Sequence, residues 1–449
     1  MIAVRPVFLM IAALGLDPRP QATTAPDGWQ PAAPRDEIRP RFEFDAKGGR
    51  GGKGRLAIVQ DARAGLQGYW TKTFAIEGGR HYRFEGWRKA HGVTTPRTSV
   101  RVRIHWGDEA GKPVLHDTPW EGKYLQGRYR QADPEHPTDR ETDDSGWTRV
   151  SDTYQAPSKA RRARVELHLL WAPKGTVEWS EVTFAECPRP APRKARLGAV
   201  HYSPKGKTPE ENRNQYAPLI EEAARQKADL VVLGEVLTYP GTGLKYPDEV
   251  AEPVPGPSTE FFGRLSKKHG LYVVAGLVER DGPLLYNVAV LTGPDGRIVG
   301  KYRKVCLPEG EGEDGIAPGD SYPVFETRFG KVGMMICYDG FFPEVARRLA
   351  SNGAEVIAWP VWGCSPLLAR ARAYENRVYV VSSTYCGVSS NWMLSAVFGH
   401  DGEPLTAAEK MGSVVVAEVD LDERFRWQPM GDFRSQIHRH RPAWGPEDK

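Results

Sequence analysis

The chain is poor in the features that define several large classes of protein. Its 449 residues include only five cysteines, which form no Cys-x-x-Cys pair and no zinc-ligand spacing. Four of the five fall after residue 300, so they do not form a disulfide framework for the whole chain. The formal net charge is only +4, with basic pairs placed among acids, and a nucleic-acid-binding groove is therefore not expected. We expect no metal and no cofactor.

Long hydrophobic runs are also missing. The apolar run near the N-terminus extends from Val7 to Leu16, which is too short to span a bilayer. One arginine precedes it, and small residues lie at Ala13 and Gly15. This pattern is typical of a secretory signal peptide, which we place at residues 1–22. We therefore expect export to the periplasm or the cell exterior, or a cytoplasmic location if the segment is not a signal.

The first half of the chain has the alternation of β-strands. After a lead-in rich in proline and alanine (23–41), which we expect to be flexible, segments such as YWTKTFAIEGG and SVRVRIHW occupy residues 42–187. Their alternation predicts an all-β sandwich or jelly roll. Their order resembles the galactose-binding-like, or carbohydrate-binding-module, sandwich. Eight of the 13 tryptophans lie in this half or its lead-in, and they leave open both core packing and a carbohydrate ligand.

The second half has a different rhythm. A proline-rich linker, PRPAPRK (188–194), separates the two halves. Beyond it, apolar runs such as ARLGAVHY alternate with amphipathic segments such as TPEENRNQYAPLIEEAARQKA. Continuous apolar runs are typical of strands buried on both faces, and their alternation with helices predicts a layered α/β sandwich over 195–425. We expect residues 426–449 to form an extended arm suited to crossing onto a partner subunit.

Three polar residues stand where predicted strands end. Glu235 follows DLVVLG, Lys304 ends a hairpin in KYRK, and Cys337 closes VGMMIC. Catalytic and binding groups gather at strand ends in α/β sheets. Each residue alone has an ordinary explanation, since free cysteines are usually buried core residues. Together, a thiol nucleophile, a carboxylate base and an ammonium that stabilises an oxyanion predict acyl-transfer chemistry.

The three residues lie in motifs that resemble those of the nitrilase, or carbon–nitrogen hydrolase, superfamily. LVVLGEVLTYPG, KYRKVCLPEGE and GMMICYDGFFPEVARRLA match its motifs in order and spacing. The resemblance implies a four-layer α-β-β-α sandwich. It also implies that Glu235 is the general base, Lys304 the lysine beside the oxyanion, and Cys337 the nucleophile.

The resemblance implies further site residues. A second glutamate, which braces the lysine and the substrate, should lie in LPEGEGED; we choose Glu311, with Glu309 and Glu313 as alternatives. The backbone N–H of Tyr338 is the expected second donor to the oxyanion. Apart from the resemblance, Phe341, Trp359 and Trp362 lie near these motifs, and we expect them to line either the substrate pocket or the core.

The sequence indicates the substrate class in less detail than it indicates the site residues. Cys-Tyr-Asp at the nucleophile resembles the amidase and carbamoylase branches more than true nitrilases. We therefore expect a small-molecule amide or N-carbamoyl substrate and a thioester intermediate, with nitrile hydrolysis as an alternative. A catalytically silent member that binds a carbohydrate or a surface is a further alternative. Gly234, Cys306 and Thr384 depart from residues common in the family. The resemblance also implies a homodimer or a larger homo-oligomer.

Overall fold

The computed structural model describes residues 28–117, 131–424, 426–427 and 431–442. The chain divides into two compact units, one built mainly from residues before 190 and the other mainly from 190–441. The predicted signal peptide (1–22) lies outside the described residues, as do 23–27 of the lead-in and 428–430 and 443–449 of the C-terminal arm. Within the described ranges, no helix combines the length and the hydropathy needed to cross a membrane.

The described part of the first unit consists mainly of antiparallel strands. In chain order the elements are β1 (Gln30–Ala32), β2 (Arg41–Asp45), β3 (Arg55–Val59), β4 (Gln67–Ala75), β5 (His81–His91), α1 (Pro96–Ser99), β6 (Val100–Gly107), β7 (Thr138–Thr142), β8 (Thr148–Gln155), β9 (Arg162–Leu170) and β10 (Thr176–Cys187). They form a four-stranded sheet of order β1-β4-β9-β6 and a six-stranded sheet of order β2-β3-β10-β5-β8-β7.

Alternate side chains of both sheets meet in one hydrophobic core. The tryptophans of this unit that are at most 8% exposed are Trp29, Trp70, Trp106, Trp147 and Trp179. These rings therefore serve packing, whereas Trp171 is 56% exposed. Strand β1 pairs with β4, so this part of the expected flexible lead-in is ordered. The jelly-roll connectivity and the carbohydrate ligand stay predictions.

The second unit alternates strands and helices. In chain order the elements are β11 (Lys194–His201), α2 (Pro209–Gln215), α3 (Ala217–Arg225), β12 (Leu230–Val232), α4 (Pro257–His269), β13 (Tyr272–Asp281), β14 (Leu284–Thr292), β15 (Ile298–Arg303), α5 (Glu309–Glu313), β16 (Val324–Glu326), β17 (Lys331–Met334), α6 (Pro343–Ser351), β18 (Val356–Pro360), α7 (Pro366–Asn376), β19 (Tyr379–Ser383), β20 (Ala396–Phe398), β21 (Pro404–Ala407), β22 (Ser413–Asp420), β23 (Arg426–Trp427), β24 (Gly431–Asp432) and α8 (Phe433–His440).

Two six-stranded sheets form the centre of this unit. Their orders are β15-β14-β13-β12-β11-β22 and β16-β17-β18-β19-β20-β21. One core lies between the sheets, a second lies between the first sheet and helices α3 and α4, and a third lies between the second sheet and helices α6 and α7. The second half of the chain is therefore an α/β sandwich with helices outside two packed sheets, which is the layering that the resemblance implies.

Each sheet has three parallel strands at its centre. Strands β11, β12 and β13 run parallel in one sheet, and β17, β18 and β19 run parallel in the other. These strands are buried on both faces, which explains their continuous apolar sequences. The carboxyl ends of such strands leave their connections exposed at one edge, where side chains from several strands can meet.

The C-terminal segment differs from the expected extended arm. Its described residues form the short pair β23–β24, followed by helix α8. The side chain of Asp432 accepts a hydrogen bond from the N–H of Arg434 and so caps this helix. Basic residues in the last turn of α8 also suit the helix dipole.

Candidate active site

Three loops at strand ends bring the predicted residues together. Glu235 lies three residues after β12, Lys304 follows β15 directly, and Cys337 lies three residues after β17. Glu235 is 2% exposed and Lys304 is 1% exposed, so both charges are held away from water. Buried charges need partners, and the partners of these two residues define the site.

Lys304 joins two carboxylates. Its Nζ lies 3.0 Å from Oε1 of Glu235 and 2.7 Å from Oε1 of Glu311. Glu311 is in the middle of α5, and its side chain turns inward. Glu309 and Glu313, at the two ends of the same short helix, are exposed. Of these three described glutamates, the structure therefore brings Glu311 to the lysine.

Asn287 is a fourth member of this group, and sequence analysis did not identify it. Its side-chain Nδ2 donates to Oε1 of Glu235 at 2.8 Å and to Oε1 of Glu311 at 3.2 Å. Its backbone carbonyl accepts a hydrogen bond from the N–H of Lys304 at 2.9 Å. Asn287 is fully buried in β14, within the apolar run LLYNVAVLT. A single amide side chain inside an otherwise apolar strand was the sequence feature that could have indicated a role for Asn287.

The other carboxylate oxygen of Glu235 is also fixed. Oε2 accepts a hydrogen bond from the backbone N–H of Trp362 at 2.8 Å. The backbone carbonyl of Glu235 accepts a hydrogen bond from the hydroxyl of Tyr385. A β-carbon added to Gly234 would lie 2.6 Å from the Tyr385 ring, which explains why glycine precedes Glu235 in this chain.

Cys337 begins a tight turn. It opens a 3-10 helix, Cys337–Phe341, and its φ is +38°, a left-handed backbone conformation that L-residues rarely adopt. The thiol donates to the carbonyl of Gly363 with an Sγ–O distance of 3.4 Å. The N–H of Tyr338 lies in the first turn of this helix, where N–H groups have no intrahelical acceptor. This backbone donor is therefore next to the sulfur.

Asp339 anchors the turn to the lysine loop. Its buried carboxylate accepts hydrogen bonds from the N–H of Ile336, the N–H of Cys306 and the hydroxyl of Tyr302, each at 2.8 Å. Ile336 precedes the nucleophile, whereas Tyr302 and Cys306 lie on either side of Lys304. One carboxylate thus fixes the position of the thiol relative to the ammonium.

Electrostatics keep the thiol protonated and the lysine charged. Burial raises the pKa of the Cys337 thiol well above its ordinary value, and the charge of Glu235 raises it further. Burial lowers the pKa of Lys304, but the negative charges of Glu235 and Glu311 oppose this effect, and that pKa lies above its ordinary value. A protonated thiol is a poor nucleophile and needs a base to become reactive. The Glu235 carboxylate is near enough to the thiol for its charge to raise the thiol pKa.

The three aromatic residues suggested for the pocket divide in two. Phe341 is 36% exposed and Trp362 is 45% exposed, so both present rings at the surface. Trp359 is 0% exposed and packs in the core beneath α6 and α7. Its indole N–H donates to the carbonyl of Cys337 at 3.3 Å. Trp359 therefore supports the nucleophile turn and does not line an open pocket.

No arrangement for a metal accompanies this group. Among the residues that the structure describes, no set of three or more His, Cys, Asp or Glu side chains is placed to hold a metal ion. The chemistry available from the described site is a thiol, a carboxylate base, a fixed ammonium and a backbone N–H.

Comparison with known proteins identifies the class. Residues 196–428 match the family model described as carbon–nitrogen hydrolase. A protein named nitrilase from Pyrococcus abyssi is 40% identical over 240 residues, which are 50% of this chain and 90% of that protein. An omega-amidase of Xenopus tropicalis is 34% identical over 250 residues, covering 51% of this chain and 87% of that protein.

A solved structure gives a similar coverage. The Saccharomyces cerevisiae member of branch 10 of the nitrilase superfamily is 28% identical, covers 51% of this chain and 90% of its own, and superposes with a TM-score of 0.45. The family-model match and the sequence relatives are sufficient for the assignment. The chain belongs to the carbon–nitrogen hydrolase family, that is, to the nitrilase superfamily.

Proposed function

We propose that this protein hydrolyses the C–N bond of a small amide or N-carbamoyl compound through a thioester on Cys337. One observation carries the proposal: Lys304 is held between Glu235 and Glu311 at the strand ends where the Cys337 turn also lies. A buried lysine fixed by two carboxylates cannot swing away, so it is a preorganised donor for a developing negative charge. The relative named omega-amidase supports an amide substrate, whereas the relative named nitrilase supports the alternative of nitrile hydrolysis.

The first half of the reaction forms the thioester. Glu235 takes the thiol proton as Sγ of Cys337 attacks the carbonyl carbon, and the carbonyl π electrons move to oxygen. Lys304 and the N–H of Tyr338 donate hydrogen bonds to that oxyanion. When it collapses, the C–N bond breaks and Glu235 returns the proton to nitrogen, which leaves as ammonia or an amine.

The second half releases the acid. A water molecule gives a proton to Glu235 and attacks the thioester carbon, forming a second oxyanion between the same donors. Its collapse breaks the C–S bond, and the proton returns from Glu235 to sulfur. The products are a carboxylic acid and the regenerated thiol; an N-carbamoyl substrate gives a carbamic acid, which loses carbon dioxide.

The test is a substrate screen with a matched inactive variant. Amides, N-carbamoyl compounds and nitriles are each assayed for release of ammonia or amine, with Cys337→Ala as the control. We expect turnover of amides or N-carbamoyl compounds by the wild type and none by the variant. Mass spectrometry after rapid quenching should show an acyl adduct on the peptide that contains Cys337. Turnover that survives in Cys337→Ala would refute the mechanism, and turnover of nitriles alone would refute the substrate class.

A further inference from the structure

We propose that the site prefers amides whose acyl group is uncharged and apolar, with an aromatic acyl group best, and that Trp362 and Trp392 determine this preference. The inference rests on the proposed function and names the substrate class of the same site. It is carried by the rings that surround Cys337 and by the net charge of the groups behind it.

Both tryptophans lie beside the nucleophile. The thiol of Cys337 donates to the carbonyl of Gly363, which directly follows Trp362. The indole of Trp392 packs on the same glycine, because a β-carbon there would lie 1.8 Å from its Nε1. The thiol thus donates to Gly363, the Trp392 indole packs on Gly363, and Trp362 is the preceding residue in the chain. The two rings are 45% and 41% exposed, so both present apolar surface to a ligand.

Each tryptophan belongs to a larger aromatic group. Trp362 packs against Tyr385, with ring centroids 5.2 Å apart, and against Tyr239 at 6.4 Å. Trp392 lies 6.4 Å from Phe341, which in turn lies 5.3 Å from Tyr338. The exposed ring of each group, Trp362 and Trp392, is thus backed by further aromatic side chains, and grouped apolar rings mark a binding surface more often than single surface residues do.

The charged groups of the site disfavour a charged acyl group. Lys304 is one positive charge between the two carboxylates of Glu235 and Glu311, so the buried group carries a net negative charge. Arg372 is close by, but its nitrogens donate to the carbonyls of Gly340 and Phe341 and to a glutamate on its own helix. A carboxylate on the acyl group would therefore meet repulsion at the site, with both of these cations already engaged.

A cationic acyl group meets a different obstacle. An ammonium on the acyl group would lose its hydration on entering the aromatic surface, and the carboxylates of Glu235 and Glu311 already have Lys304 as their ion-pair partner. The aromatic rings give an apolar acyl group a surface to cover, and one additional apolar group in such a pocket changes specificity by about tenfold or more.

The experiment uses amides of similar size that differ in one terminal group. Butanamide ends in a methyl group, succinamate replaces it by a carboxylate, and β-alaninamide replaces it by an ammonium; phenylacetamide supplies the aromatic acyl group. We expect kcat/KM to be highest for phenylacetamide and lowest for the two charged amides, with steps of about tenfold. A preference for succinamate or β-alaninamide, or no preference, would overturn the inference.

Variants assign the preference to the rings. Trp392→Ala should lower the ratio of kcat/KM for phenylacetamide to kcat/KM for acetamide by about tenfold, mainly through the KM of phenylacetamide, because acetamide has no aromatic acyl group. Leu405→Ala, which removes an exposed apolar side chain on β21, is the matched control and should change neither. Equal losses for both amides in Trp392→Ala would show that the ring acts on folding instead.

A binding measurement separates this inference from the proposed function. Calorimetric titration of Cys337→Ala with the same four amides needs no turnover, and phenylacetamide should bind most tightly. If it does and the wild type hydrolyses none of them, the proposed function fails and the inference stands. If the wild type hydrolyses amides but the variant binds succinamate as tightly as phenylacetamide, the inference alone fails.

Discussion

Asn287→Leu is the substitution that most directly tests how the site is held together. The side-chain Nδ2 of Asn287 donates a hydrogen bond to each of two carboxylates, at 2.8 Å to Glu235 and 3.2 Å to Glu311. A hydrogen bond to a charged group contributes about 1.5–3 kcal/mol. Because Lys304 still holds both carboxylates in the variant, the expected loss of free energy is taken from the shorter bond, the one to Glu235, alone. If its loss appears in the transition state, kcat falls by about ten- to a hundredfold.

The pH profile distinguishes this positioning role from a purely structural one. Burial raises the pKa of Glu311, and the bonds from Lys304 and Asn287 oppose that rise. Removing Asn287 therefore raises the pKa further, so Glu311 protonates at a higher pH as the solution is acidified. We expect the acid limb of kcat/KM to move to higher pH in Asn287→Leu, measured by ammonia release across the acid range.

The matched control lies on the same strand. Thr292 is 1% exposed in β14, and its hydroxyl lies 2.7 Å from that of Ser266. Thr292→Val removes a buried hydrogen bond without touching the carboxylates, so it should lower the melting temperature and leave the acid limb in place. If Asn287→Leu behaves in the same way, with an unchanged pH profile and unchanged kcat, the assigned role is wrong.

Three further predictions concern the turn, the thiol and the first unit. Tyr302→Phe removes one of the donors to Asp339 and should lower the free energy of unfolding in urea by about 1–3 kcal/mol; an unchanged midpoint and slope would contradict the anchoring role. Alkylation of Cys337 by iodoacetamide, followed by peptide mass, should accelerate steadily up to about pH 9, because burial raises its pKa; a plateau near neutral pH would show a thiolate. Burial lowers the pKa of His168 from 6.5 to about 4. The neutral form therefore contributes about 3 kcal/mol of stability, which is complete above about pH 6.5 and is lost as the pH falls towards 4. Calorimetry of His168→Leu should show a flatter dependence of stability on pH over that interval.

The residue types of the candidate site could be predicted from the sequence better than the contacts between them. Glu235, Lys304 and Cys337 follow strands with distinct motifs, and strand ends are where such residues are sought. Their spacing in the sequence does not predict which side-chain atoms are in contact. The hydrogen bonds that Asn287 makes to Glu235 and Glu311 depend on how β14 pairs with β13 and β15. Glu311 was one of three candidates, because a dense acidic run has no periodicity from which the inward residue can be selected.

Tertiary contacts also determine which residues are buried and which segments are ordered, in places where the local sequence does not predict either. Trp359 and Trp362 are three residues apart around the end of β18, yet one is fully buried and the other is 45% exposed. The strand carries the first ring into the core, and the loop carries the second to the surface. Likewise, Gln30–Ala32 has no strand-like composition and is ordered because β4 offers it an edge to pair with.

Two turns at the site hold residues with a β-carbon in left-handed backbone conformations. Cys337 has φ +38°, and Val236, which follows the base, has φ +39°. Such conformations cost about 1–2 kcal/mol for residues other than glycine. An effort to improve heat resistance by selecting for stability alone would therefore favour glycine at both positions. One of those changes would delete the proposed nucleophile, and the other would loosen the chain beside the proposed base. Stabilisation of this protein as a catalyst therefore has to begin away from these two turns.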